Sequence, residues 1–151
     1  AHWMQSRPSF RIDPRRLAAR QQEVADEALA WARVRLQAGP VLIYATSTPQ
    51  EVKAVQDELG AERAGALVEA ALGEIAKGLV RAGVRRLVVA GGETAGAVVG
   101  ALGIRGLRIG PQIDPGVPWT MSLNEPRIAL ALKSGNFGAA DFFEKALGAI
   151  A

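Results

Sequence analysis

Between Ala61 and Ala82, the residues Ala64, Leu67, Val68, Ala71, Leu72, Ile75, Ala76, Leu79 and Val80 recur in alternating steps of three and one. That spacing puts all of them on one side of an α-helix, and such a stripe has to be buried against a second layer. Gly83 ends it, and Arg86-Leu87-Val88-Val89-Ala90 follows, a short apolar run that reads as a buried strand. The chain must therefore pack helices on a sheet.

The same change of period recurs on either side. Asp13-Pro14 is a helix opening, an Asp cap followed by Pro where a missing N–H costs nothing. Leu17, Val24, Ala28 and Trp31 then repeat at helical spacing until Gly39-Pro40. Val41 to Ala45 reads as a strand, Thr46 to Pro49 as a polar turn, and Glu51–Glu58 as a short helix. After Ala90, Gly91-Gly92-Glu93-Thr94 leads into a helix reaching about Leu102 and closed by Gly103. Leu107 to Ile109 is a brief strand, and Gly110–Thr120, rich in Pro and Gly, reads as a long ordered loop. Ile128 to Leu132 is a further buried strand, and a last helix runs from about Ala140 to Leu147. Alternation at this spacing predicts an α/β fold, a layered α/β/α domain with a mainly parallel, mixed sheet. Its antiparallel part is expected within residues 107–132, where the connection is not helical.

Composition narrows the chemistry. A length of 151 residues suits one domain, and no apolar run is long enough to span a membrane. Cysteine is absent and the one histidine is His2, so thiolate zinc sites, cysteine nucleophiles and a Ser-His-Asp triad cannot be built from these residues. His2 itself reads as an ordinary terminal residue. The net charge of +3 lies in residues 1–36, which hold seven Arg and four acids, while residues 37–151 balance at eleven of each. Aromatics make up only 5%, so no dense basic stripe with base-stacking rings is available and a nucleic-acid partner is not expected. The Arg-rich start reads as a solvated helix face or a surface turned toward another chain, which leaves homo-oligomerisation open. Nothing at the start resembles an export signal, and the cytoplasm is the expected compartment.

The chemistry gathers at two glycine loops, each directly after a predicted strand. In α/β sheets ligands bind beyond the carboxyl ends of strands, and glycines let main chain approach an anion while the next helix offers N–H groups and partial positive charge. Gly91, Gly92, Glu93 and Thr94 have that setting, with Thr94 a natural helix cap whose hydroxyl is able to face a phosphate instead. Glu93 suits a ribose hydroxyl or a phosphate-bound Mg²⁺. The motif alone is equally compatible with a tight structural turn whose Glu93 complements the helix dipole. In the second loop, Gly135 and Gly138 permit unusual backbone and Ser134 and Asn136 offer uncharged polar atoms; Lys133 reaches a phosphate as a point charge. Taken alone, this loop reads first as an Asn/Gly turn ahead of a helix, with Phe137 tucked into the core. Both loops at one sheet edge would converge on one crevice. The P-loop signature is absent, since Arg127 stands where its first Gly belongs, and GGETAG does not satisfy the dinucleotide G-x-G-x-x-G pattern.

Three ordered segments, VAGGETAGAVVGALGI (Val89–Ile104), LRIGPQIDPGVPW (Leu107–Trp119) and LALKSGNFGAADFF (Leu130–Phe143), closely resemble the C-terminal nucleotide-binding domain of the four-carbon acid sugar kinases. That family includes D-threonate, D-erythronate and 3-oxo-tetronate kinases. The resemblance implies ATP- and Mg²⁺-dependent phosphorylation of a four-carbon sugar acid, with the acid held largely by a separate N-terminal domain. It places Gly91, Gly92, Glu93 and Thr94 in the family's GGET nucleotide loop and Ser134, Gly135 and Asn136 in its SGN loop. Pro115–Trp119 matches a motif without an assigned role, and no catalytic base is evident. Family members are more than twice this length, so residues 1–151 are expected to be one nucleotide-binding domain lacking the substrate domain and the strand that opens the nucleotide domain. By itself such a piece is expected to bind nucleotide weakly and to catalyse nothing, because phosphoryl transfer depends on positioning both substrates. A different class stays open beside it: a non-catalytic phosphate-binding or protein-interaction module that docks through the Arg-rich helix with Trp3 and Trp31.

Overall fold

The computed structural model describes residues 7–46, 48–135 and 141–148. Its elements run β1 (Ser9–Arg11), α1 (Pro14–Arg35), β2 (Leu42–Tyr44), α2 (Pro49–Leu59), α3 (Ala61–Arg81), β3 (Arg86–Ala90), α4 (Gly92–Ala101), β4 (Leu107–Asp114), β5 (Val117–Ser122), β6 (Ala129–Lys133) and α5 (Phe142–Gly148). The strands form two sheets. β1 pairs with β2 in parallel, and the second sheet has the order β3-β6-β5-β4. Within it β3 and β6 are parallel, whereas β5 runs antiparallel to both β6 and β4. The mixed α/β class is as expected, with the antiparallel part inside residues 107–132.

Sequence signals start the helices where they should. Asp13 caps α1, its Oδ1 accepting from Arg15 N at 2.9 Å, with Pro14 next. Thr48 and Glu51 form a reciprocal capping box at the start of α2, which therefore opens two residues earlier than its apolar pattern suggests. The stripe on α3 is buried at Ala64, Ala71, Ile75, Ala76, Leu79 and Val80. Its neighbour across the crossing is α1, through Leu17, Val24, Ala28 and Ala32.

The faces of the larger sheet separate cleanly. Leu130 and Leu132 of β6 and Leu87 and Val89 of β3 turn toward α3 and α4. Ala129, Ala131 and Val88 turn the other way, toward Phe142 and Ala146 of α5 and Trp119 of β5. Helices thus cover both faces, and the central strands are apolar on both sides as buried parallel strands must be. Burying one such leucine side chain contributes about 1.5–3 kcal/mol. Three arginines of the first helix find acids of this same chain: Arg15 reaches Glu58 at 2.9 Å, Arg16 reaches Glu27 at 2.8 Å and Arg20 reaches Glu23 at 3.3 Å. Trp31 packs on Phe10 with ring centroids 5.5 Å apart, and the Arg35 guanidinium lies over the Trp31 ring at 4.7 Å. Trp3 lies outside the described residues.

Two expectations are corrected. Gly110–Thr120 is no loop: most of it belongs to β4 and β5, a hairpin that turns at Pro115-Gly116, with Gly116 at φ 79°. β4 is an edge strand with register shifts around Gln112, and an edge or a bulge is where a strand accommodates Pro111. Thr94 is not the cap of α4. Gly91 takes that place at φ 117°, and Thr94 is the third helical residue. Beyond these, Ser9–Arg11, to which no element is assigned from sequence, pairs as a strand.

Candidate functional site

The candidate site is built on the parallel pair β3 and β6. Because the two strands are parallel and in register, Ala90 beside Lys133, the segments that leave them emerge at the same end. Gly91 N donates to Lys133 O at 2.8 Å, so the pairing continues one residue past β3 and stitches the Gly91–Thr94 turn to the loop beginning at Ser134. Gly91, Gly92, Glu93, Thr94, Ser134 and Gly135 are therefore brought to one sheet edge. Asn136 lies outside the described residues.

Gly91 has φ 117° and ψ 128°, a backbone conformation that side chains of L-residues rarely adopt. That kink lets α4 start immediately, and Ala95 N donates to Gly91 O at 2.9 Å to close the first helical turn. The N–H groups of Gly92, Glu93 and Thr94 have no acceptor one turn back, and no side chain caps this terminus. Gly92 and Glu93 are exposed, and a Cβ placed on Gly92 would meet no atom within 4 Å. A helix end that displays main-chain donors and partial positive charge into open space is a binding place for an anion. Thr94 is half-buried, its Oγ1 lying over Gly91. Across from it, Lys133 Nζ rests long and weakly on the Ser134 and Gly135 carbonyls, at 3.5 and 3.4 Å. Among the described residues no three His, Asp or Glu side chains cluster as a metal site.

Residue-type reasoning located this turn through its glycines and expected the helix after it to offer N–H groups; the geometry adds that no side chain caps that helix start. The signal for the junction lay in the order of elements, two strands of one parallel pair each followed by a glycine loop and a helix.

Residues 1–143 match the family model described as the nucleotide-binding C-terminal domain. The chain belongs to that family. It is 67% identical over 150 residues to the 3-oxo-tetronate kinase of Pseudomonas fluorescens, a match covering 99% of this chain and 34% of that protein. It is 63% identical over 150 residues to the 3-oxo-tetronate kinase of Burkholderia multivorans, covering 99% and 35%. The chain thus spans about a third of the length of the curated relatives it matches. Among solved structures it is similar to a Haemophilus influenzae protein, with a TM-score of 0.91 at 37% identity over 97% of this chain and 35% of that one. No helix of the described residues is long and apolar enough to cross a membrane.

Proposed function

We propose that residues 1–151 are the nucleotide-binding domain of a longer kinase that phosphorylates a four-carbon sugar acid of the 3-oxo-tetronate kind with ATP. The observation that carries this reading is the 2.8 Å bond from Gly91 N to Lys133 O, which sets the uncapped start of α4 beside the Ser134–Gly135 loop. The family match and the kinase relatives support it.

In this reading the amides of Gly92, Glu93 and Thr94 and the dipole of α4 hold the phosphates, and Gly92 matters because it has no side chain where they approach. Lys133 swings from its weak carbonyl contacts to neutralise phosphate charge, and Ser134, Gly135 and Asn136 close the opposite side. Glu93 fits Mg²⁺, which is generally held by one or two carboxylates, water and the phosphates themselves rather than by a protein cage. When bound, ATP supplies the phosphoryl group, and the sugar acid is held mainly by parts of the kinase outside these residues. The catalytic base is not assigned among them.

The test is a thermal-shift titration with ATP·Mg²⁺, ADP and inorganic phosphate, run on the chain and on Gly92→Val. Since nothing crowds Gly92, the variant is expected to melt with the wild type in the absence of ligand. Nucleotide at 100 times its Kd stabilises by about 2.7 kcal/mol, and this gain is expected to vanish in Gly92→Val. Equal stabilisation of both proteins would move the nucleotide elsewhere. A cooperative melt that ignores every nucleotide, here and in the longer polypeptide, would sink the reading.

A further inference from the structure

The two glycine loops share their end of the sheet with α2. α3 carries the chain back to the start of β3, and Val84, just ahead of β3, packs in one cluster with Leu36 and Val41, just ahead of β2. The two strands therefore start at one end and finish at the other. That puts α2, which follows the end of β2, at the edge that carries Gly91–Thr94. This helix buries little. Of its eleven residues, all described, it buries Val55, half-buries Leu59 and exposes the rest. Val52, Val55 and Leu59 recur at helical spacing and share one side, so the stripe is covered at Val55 and open at Val52, which is 40% exposed. A helix this short does not hold itself in water and depends on packing of an apolar face. Its place is nevertheless set at both ends: Arg11 reaches Glu51 and Arg15 reaches Glu58, each at 2.9 Å. Half-exposed ion pairs of this kind add little stability, so they orient α2 more than they hold it folded. Beside them lies a groove of about 180 Å³, lined by Arg11, Pro14, Arg15, Glu51 and Val55.

We propose that α2 is the docking surface for the part of the same polypeptide that holds the sugar acid. An apolar side chain of that part packs on Val52 and Val55 and completes the stripe, and its polar neighbours meet the groove beside Arg11 and Arg15. The identity of this partner rests on the kinase reading above, whereas the contact itself stands without nucleotide. The matched relatives carry about two-thirds of their length outside the matched region, so a covalently linked occupant is at hand. Chemistry says where it must sit. Phosphoryl transfer needs the acceptor hydroxyl in line with the phosphate and water kept out, so the acid-holding part has to close over the edge where the phosphates lie. The β4–β5 turn stands at that edge too, since β5 begins opposite the end of β6. Its Trp119 and Asp114 are taken up by α5, which leaves the open stripe of α2 as the surface to be covered. A second copy seated on α2 would stand in the same approach and keep the acid out.

Amide hydrogen exchange on the polypeptide as encoded, without nucleotide, tests it. The amides of Val55, Gln56, Asp57 and Glu58 report on α2, and those of Ile75 and Ala76 in α3 serve as the control. Val52→Asp puts a charge into the stripe; Val52 is exposed and an acid suits the first turns of a helix, so the fold is expected to be kept. In the variant the α2 amides are expected to exchange at least about tenfold faster than in the wild type, with the α3 amides unchanged. Exchange at α2 that ignores Val52→Asp, or that is already as fast in the wild type as in a fraying helix, overturns the proposal. Protection that grows with protein concentration, alongside a dimer in sedimentation, would assign α2 to a second copy and overturn it. Protection that requires added ATP would overturn it as well, because the contact would then belong to the nucleotide-bound state. Kinetics give a second readout. Val52→Asp is expected to raise KM for 3-oxo-tetronate about tenfold and to leave KM for ATP unchanged, and an unaltered KM for the acid would count against the docking surface. Loss of nucleotide stabilisation in every one of these proteins would instead sink the kinase reading, on which the exchange measurement does not depend.

Discussion

Two turns at the ends of strands in this molecule use glycine at positive φ, and they are finished in opposite ways. The turn between β4 and β5 is closed on its own fold. Val117 and Trp119 are 1% and 3% exposed, Trp119 Nε1 donates to Ala146 O at 3.1 Å, and Lys145 lies 3.3 Å from the buried Asp114. The polar and apolar groups of that hairpin are taken up by α5, which gives the Pro115–Trp119 segment a role its sequence did not disclose: it fastens the last helix to the sheet. The turn after β3 is left open. Its helix start has no side-chain cap and Gly92 faces empty space. A turn that satisfies its groups internally is structural, and one that leaves main-chain donors outward is available to a ligand.

The largest effect expected from breaking this contrast is at the closed turn. Trp119→Ala removes a buried indole and orphans the Ala146 carbonyl, and substitutions of this kind cost about 3–5 kcal/mol. For a chain of this size that lowers Tm by about 10 °C. The nucleotide-dependent gain in Tm, measured on whatever fraction remains folded, should survive, because the ring belongs to the cluster on the α5 side of the sheet, in which Val88 is the one β3 residue and to which the Gly91–Thr94 turn does not belong. A variant that keeps its Tm but loses nucleotide would reverse the assignment of the two turns. Next comes Gly91→Ala. At φ 117° an alanine is strained, and its Cβ would sit 3.1 Å from Thr94 Oγ1, so about 1–3 kcal/mol of stability should be lost. Set against Gly92→Val, this separates the two glycines: the first is needed for the backbone path, the second for the space above it. If Gly91→Ala melts with the wild type, the kink is not as drawn.

Much of this was legible in the residues because local signals and burial agreed. The stripe of α3, the Asp13-Pro14 opening and the strand at Arg86–Ala90 each carry a period or a cap that tertiary packing then uses. The failures have a common physical cause. Ser9–Arg11 is a strand only because β2 lies beside it, and no property of three residues announces a partner. Pro111 and Gly110 argue against a strand in isolation, and only the edge position of β4 makes them tolerable. At the site, Thr94 has the side chain of a cap, yet Gly91 wins the position because the chain must turn through positive φ there. The meeting of the two glycine loops was legible, since each follows a strand. The hydrogen bond that couples them was not, because it is made by main chain.

The smallest effect concerns how the closed turn is held. Lys145 sits between Asp141 at 3.2 Å and Asp114 at 3.3 Å. Hydrogen bonds donated to Asp141 first, then to Asp114, raise the pKa of the Lys145 ammonium above its ordinary value of 10.5. The sign follows from linkage: a group whose pKa is higher in the folded protein stabilises it fully below the unfolded pKa, and that contribution fades as pH rises through the folded value. Half-exposed ion pairs are individually weak, so Lys145→Met should lower Tm only slightly at pH 7. The informative quantity is the difference between variant and wild type across pH. It is expected to stay constant from pH 7 to about 10 and to close above 10.5, as the wild type loses its charge and comes to resemble the variant. A difference that persists undiminished at pH 11 would mean that the lysine acts through the packing of its methylene stem, and the hairpin would then be fastened to α5 by Trp119 and apolar contact alone.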